Sequence, residues 1–306
     1  ICINDLSWQI KLELFHVKHQ LINIEKCPIC GGESLRNFLE AEDHNVSKDR
    51  FNIVECNDCS FRFTNPIPTE DTIGDYYKSE NYVSHSGTKK GFINRVYHVV
   101  RSRAIKQKEK LASKHSTAKN ILDIGCGTGD FLAYCKSLNW KALGLEPDES
   151  ARKIAIESNL IEAKPLNYLY AVEENTFDVI SMWHVLEHVY NLNEDIEQYK
   201  KILKQDGVLI VAVPNCSSKD AEHYGANWAA YDLPIHLYHF RPSNMKKLFS
   251  NHGMEVVEIL PMKYDAYYIS MISEKYKGGN IFSGFLNGFK SNLAANAKNN
   301  KYSSQI

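Results

Sequence analysis

From Asn120 onward, short apolar runs alternate with longer stretches whose apolar residues recur every third or fourth position. The runs are ILDIG (121–125), KALGL (141–145), FDVISMW (177–183) and GVLIVAVP (207–214), each of strand length and rich in branched or aliphatic side chains. Between and after them, 129–138, 148–158, 192–204 and 242–252 carry the helical period. Strand and helix in alternation predict an α/β fold with a doubly wound, mostly parallel sheet. MEVVEILPM (254–262) reads as a late strand, and SSQI (303–306) as the start of an antiparallel partner. Residues 263–301, rich in Tyr, Asn, Lys and Gly, have poor periodicity and are expected to form an irregular excursion.

The first part of the chain is organised differently. Residues 1–25 hold an apolar stripe without start or stop signals and are expected to be a weakly docked or disordered leader. Cysteine pairs occupy 26–65, and Asn65-Pro66-Ile67-Pro68 marks a boundary before a tyrosine-rich segment and connecting helix over 66–115. In the helix 91–114, Phe92, Val96, Val99, Val100 and Ile105 share one face, and Arg101, Arg103, Lys106, Lys108 and Lys110 are expected on a solvated basic side. The catalytic part is expected over 116–306.

With 36 basic and 37 acidic residues the net charge is −1, so no global field draws the chain to nucleic acid. No run of about 20 apolar residues exists to span a bilayer. The N-terminal residues lack a basic region followed by an apolar run, so the cytoplasm is the expected compartment.

Four of the eight cysteines form Cys27-x2-Cys30 and Cys56-x2-Cys59, separated by 25 residues. Two such turns supply four thiolates to one ion, the donor set of a closed structural zinc site. Gly31 permits the tight backbone after the second ligand.

In Asp123-Ile124-Gly125-Cys126-Gly127-Thr128-Gly129, an apolar strand runs into glycines that let a ligand approach a helix N-terminus. Asp130 stands where a dinucleotide fingerprint requires glycine, and Asp123 and Asp130 would oppose a pyrophosphate. Both carboxylates suit a cationic ligand such as S-adenosylmethionine (SAM). Glu146, ending the following strand, is placed to accept hydrogen bonds from ribose hydroxyls.

These residues resemble the class I SAM-dependent methyltransferases over about 120–260. The resemblance implies a seven-stranded Rossmann-like sheet and a SAM pocket lined by Asp123, Gly125, Gly127, Gly129, Glu146, Trp183 and His184. His184, Glu187 and His188 have i, i+3, i+4 spacing, which on a helix puts three metal donors on one face. Some quinone-pathway O-methyltransferases look similar here and hold a divalent ion, with glutamate in place of His184.

The zinc module, the tyrosine segment and the SAM domain, in that order, resemble sugar C-methyltransferases of deoxysugar biosynthesis. That resemblance implies a nucleotide-linked sugar or related cell-surface precursor as the small acceptor. Tyr82 best matches the family's pocket tyrosine, with Tyr77 a near competitor. His236 matches the proposed base, although Ile235 stands where the family carries glutamate. An rRNA or tRNA base methyltransferase and a non-catalytic SAM-fold adaptor are the rival readings.

Overall fold

The computed structural model describes residues 20–78, 92–116, 118–296 and 304–306. At the N-terminal side, β1 (Leu21–Ile22) pairs with β5 (Ile67–Pro68). Between them β2 (Leu35–Glu42), β3 (Arg50–Cys56) and β4 (Arg62–Thr64) form an antiparallel meander. Its fourth strand comes from far along the chain: β11 (Tyr238–His239) pairs with β4 through Tyr238 opposite Phe63. Phe61, Phe63, Tyr238 and Phe240 cluster in this seam, with Phe61 lying 5.5–6.0 Å from each of the other rings. Glu55, buried beneath the seam, receives Arg36, Arg62 and Arg241 at 2.5–2.7 Å. Burial works to raise its carboxyl, but the guanidiniums prevail and hold it below its ordinary value.

The central sheet contains β6 (Asn120–Ile124), β7 (Lys141–Leu145), β8 (Glu162–Lys164), β9 (Phe177–Trp183) and β10 (Leu203–Ala212), in the order β10-β9-β6-β7-β8. Every pairing within it is parallel. Ile121, Leu122, Val179, Ile180 and Met182 are almost completely buried, as both faces of such a sheet are covered. The covering helices are α1 (Phe92–His115), α2 (Asp130–Ser137), α3 (Glu149–Glu157), α4 (Leu192–Ile202) and α6 (Pro242–Asn251), while α5 (Lys219–Tyr224) packs in a separate cluster with Trp228 and Tyr231.

Five strands form where seven were expected. In residues 254–262, Met254 and Val256 pack on the core as alternation requires, but Ile259 does so one residue out of phase, and the segment enters no strand ladder among the described residues. The tail does begin an antiparallel pairing, limited to a bridge between Pro214 and Gln305 with Val213 and Ile306 exchanging backbone bonds.

The expected irregular excursion is a helical hairpin, α7 (Lys263–Tyr276) and α8 (Ile281–Asn296). Its period was obscured because the two helices meet through glycines. A Cβ on Gly284 would fall 2.6 Å from Met271 Cα, and one on Gly288 would fall 2.8 Å from Tyr267 Cα.

Candidate active site

The glycine loop joins β6 to α2 with Gly125, Gly127 and Gly129 all at positive φ. Gly125 combines φ +71° with close packing, because a Cβ there would lie 2.4 Å from Val185 Cγ2. Gly127, at φ +55°, has open space where its side chain would be and donates its amide to Glu146 Oε2 at 2.8 Å. The Gly125→Ala variant is therefore expected to lose about 2–4 kcal/mol of stability from the left-handed backbone and the collision. A chemical melt should show that loss, and SAM titration should show affinity falling at least about tenfold, the equivalent of 1.4 kcal/mol.

Glu146 follows β7, and its Oε1 accepts from the Asp148 amide at 2.9 Å. Each carboxylate oxygen thus has one backbone donor and keeps lone pairs for a ligand hydroxyl. Asp123 is placed beneath the loop, where it accepts from Ser181 Oγ at 2.5 Å. Burial pushes its carboxyl up to about 7, against the opposing effects of Ser181 and Lys108. Lys108 is not on a solvated face as the sequence suggested. Its ammonium sits 4.3 Å over the Trp183 ring, while Arg101 pairs with Asp130 at 2.7 Å. Trp183 Nε1 is buried and has no hydrogen-bond partner among the described residues.

A buried carboxyl with a raised pKa costs folding stability as pH climbs from 3.8 to about 7, because the unfolded chain ionises first. Asp123→Asn removes that cost. At pH 8 the ligand-free variant is expected to be more stable by about 1–3 kcal/mol, with the gain vanishing below pH 4. Denaturant melts at both pH values check this, and SAM affinity should fall at pH 8.

Beyond the carboxyl end of β9 the expected helical face is absent. His184 has φ +60°, and Leu186–His188 form a single 3-10 turn, so the three side chains do not line one α-helical face, although His184 stays beside Glu187. Instead the turn directs His188 toward His236. Their rings meet edge to face at 4.7 Å, and ligand atoms of Glu187, His188 and His236 lie within 4.8 Å of one another. His184 remains 3.6 Å from Glu187 and 3.8 Å from Asp265. Burial opposes its charge, but Asp265 and Glu187 outweigh that and push it up to about 9.

His236 Nδ1 donates to the Ala230 carbonyl at 2.9 Å, leaving Nε2 as the basic nitrogen. His188 Nδ1 is 2.9 Å from both the Ile235 carbonyl and the Tyr77 hydroxyl, so it too carries its proton on Nδ1. Burial lowers His236 below its ordinary value and lowers His188 to about 4. Both Glu187 oxygens are buried without a hydrogen-bond partner among the described residues.

Asp232, in a left-handed conformation, accepts from Asn45 at 2.8 Å and lies 4.0 Å from His236. The carboxylates beside His236 thus come from Glu187 and Asp232, while the Ile235 side chain is buried in the core. The Tyr77 hydroxyl lies 2.9 Å from His188 Nδ1, and Tyr82 lies outside the described residues.

In the cysteine module, Cys27 and Cys59 sulfurs are 3.5 Å apart and those of Cys30 and Cys56 are 3.6 Å apart. All four fall within 4.8 Å. Tetrahedral thiolates about 2.3 Å from zinc would be separated by about 3.8 Å, so the four sulfurs fit that ion. The second turn repeats the first, with Ser60 at φ +57° in the place of Gly31 at φ +72°.

A family profile described as "Methyltransferase domain" matches residues 97–259. This chain belongs to that family. The methyltransferase is 29% identical over 161 residues to ubiquinone biosynthesis O-methyltransferase of Glaesserella parasuis, which covers 46% of this chain and 67% of the relative. Its counterpart from Dictyostelium discoideum, the mitochondrial ubiquinone biosynthesis O-methyltransferase, is 24% identical over 169 residues, 48% of this chain and 53% of the relative. The chain thus spans about half to two thirds of the length of these relatives.

Among solved structures, a SAM-dependent methyltransferase from Archaeoglobus fulgidus aligns with a TM-score of 0.43 at 21% identity. It covers 50% of this chain and 68% of the other. The loop glycines, Glu146 and the methyltransferase match together assign the domain to the class I SAM-dependent methyltransferases. No helix among the described residues is long and apolar enough to cross a membrane.

Proposed function

We propose that the methyltransferase transfers the methyl group of SAM to a small acceptor that must lose a proton, with His236 as the base. The observation that carries this reading is the enclosed group of Glu187, His188 and His236 beyond the strand that bears Trp183. SAM, when bound, supplies a methyl group on a cationic sulfonium. Gly125, Gly127 and Gly129 would let it lie close against the loop backbone and Glu146 would take its ribose, with Trp183 and His184 lining the pocket and Asp123 supporting it from below.

His236 Nε2 would accept the acceptor's proton, and the Glu187 and Asp232 carboxylates would favour the imidazolium that results. His188 holds the Tyr77 hydroxyl at the same place, available to orient an acceptor oxygen. A structural zinc on Cys27, Cys30, Cys56 and Cys59 would secure β4 and, through it, the segment bearing His236.

The acceptor favoured by this arrangement is a nucleotide-linked sugar. The four-cysteine module and the chain of contacts from Tyr77 through His188 to His236 support it, and the Glu187 carboxylate stands near His236 in place of one at position 235. A panel of nucleotide-linked keto sugars and quinols with labelled SAM tests it. Label on a sugar carbon or oxygen is the expected result, and label confined to quinols would overturn it.

A divalent ion on Glu187, His188 and His236 is a second reading, favoured by Glu187 oxygens that accept no hydrogen bond among the described residues, beside the ion pair with His184, and by the backbone bonds that leave both imidazole Nε2 atoms as acceptors. Manganese resonance on zinc-loaded protein decides it. Binding lost in Glu187→Gln would establish the ion, and no binding would remove it.

A further inference from the structure

Helix α8 is turned outward against the usual order. Facing the body are Gly284, Gly288, Ser291, Asn292 and Ala295. Toward solvent it presents Ile281, Phe282, Phe285, Leu286, Phe289 and Leu293, with Phe282 71% and Leu293 55% exposed. This orientation is fixed by specific contacts. Ser291 donates to buried Asp220 at 2.7 Å, Asn292 to the Lys263 carbonyl at 2.8 Å, and Asn287 to the Tyr224 hydroxyl at 3.0 Å. Gly284 and Gly288 admit the α7 backbone where no side chain fits. Rotating the phenylalanines inward would break every one of these bonds, so their face stays uncovered among the described residues and is available to an apolar partner.

Charge indicates what that is. Residues 275–301 contain five lysines (275, 277, 290, 298 and 301) and no aspartate or glutamate, in a chain whose net charge is −1. Lys290 is exposed among the phenylalanines. A second copy of the chain, related by a two-fold axis, would bring a hairpin that carries exposed Lys275, Lys277 and Lys290 against itself. An anionic bilayer satisfies both features, taking the apolar side chains into the acyl boundary and the ammonium groups at its phosphates. At 16 residues, α8 is suited to lie in the interface. Tyr264 and Tyr268 of α7, 39% and 60% exposed, are side chains that favour that zone.

We infer that the α7–α8 hairpin docks the methyltransferase on an anionic lipid surface. The hairpin also brings Asp265 within 3.8 Å of His184 and Tyr276 within 3.3 Å of Asn45, so docking holds the acceptor side of the molecule near the bilayer.

The test is co-sedimentation of the full chain with vesicles of phosphatidylcholine alone and with an equal share of phosphatidylglycerol, at low and high salt. The expected result is binding to the anionic vesicles at least about tenfold tighter than to the neutral ones, weakened by salt. Phe282→Glu combined with Phe289→Glu should lose at least about tenfold in binding, with circular dichroism and SAM affinity unchanged. Failure to bind anionic vesicles, or equal binding by the double variant, would overturn the inference. So would a dimer in light scattering that the double variant converts to monomer, since a second copy would then own the face.

Discussion

Replacing His236 with alanine is expected to lower kcat by about 10²- to 10⁴-fold, the range for loss of a positioned general base. SAM affinity should stay within about threefold, because the His236 imidazole bonds to Ala230 and meets His188 edge to face rather than contacting the glycine loop. Wild-type activity should persist below pH 6.5 before its acid limb appears, since burial lowers the His236 pKa and the neutral ring is the active form. As pH falls through that lowered value the base becomes protonated and turnover is lost. In His236→Ala that limb should disappear from the residual rate. Single-turnover rates and calorimetric SAM titrations on the two proteins separate loss of the base from loss of the cofactor site.

The second large effect concerns the four cysteines. Cys27 and Cys56 are almost fully buried, and Cys56 ends β3 within the sheet that β11 completes. Thr64, on the neighbouring strand, donates its hydroxyl to the His236 carbonyl at 2.7 Å and its amide to the Leu237 carbonyl at 2.9 Å. Structural zinc in small modules contributes about 10–16 kcal/mol, more than the whole margin of a typical domain. Cys56→Ser is therefore expected to lose the ion, lower the melting temperature by about 10 °C or more, and lower turnover by loosening the His236 segment. Elemental analysis should find one zinc per wild-type chain. A variant that keeps both melting temperature and activity would show that the cysteines hold nothing of consequence.

The parts of the fold legible in sequence are those where one residue type admits few conformations. KALGL forms β7 at the expected residues, because a parallel strand covered on both faces leaves an unbroken aliphatic run. The glycine loop was equally clear, as positive φ at three alternate positions selects glycine. Strand β8 carried no such mark. Its residues are Glu162, Ala163 and Lys164, and only the alanine is buried.

The hairpin α7–α8 was missed for the opposite reason, since its glycines and polar residues face inward and the apolar residues outward. At the candidate site, His236 was legible only as a proposed base, from its segment. The grouping of Glu187, Asp232 and Tyr77 around it could not, because it depends on a 3-10 turn, a left-handed aspartate and a sheet closed by β11. Each of these is a tertiary outcome with no periodic signature.

The proposed reaction moves a methyl group from SAM to a small molecule and uses His236 to do it. Incubating wild type and His236→Ala with methyl-labelled SAM and separate pools of small molecules and RNA tests this most directly. The account predicts label in the small-molecule pool with wild type and a loss of about 10²-fold or more with His236→Ala. Label in RNA, label unaffected by the substitution, or tight SAM binding with no transfer to any pool would contradict it.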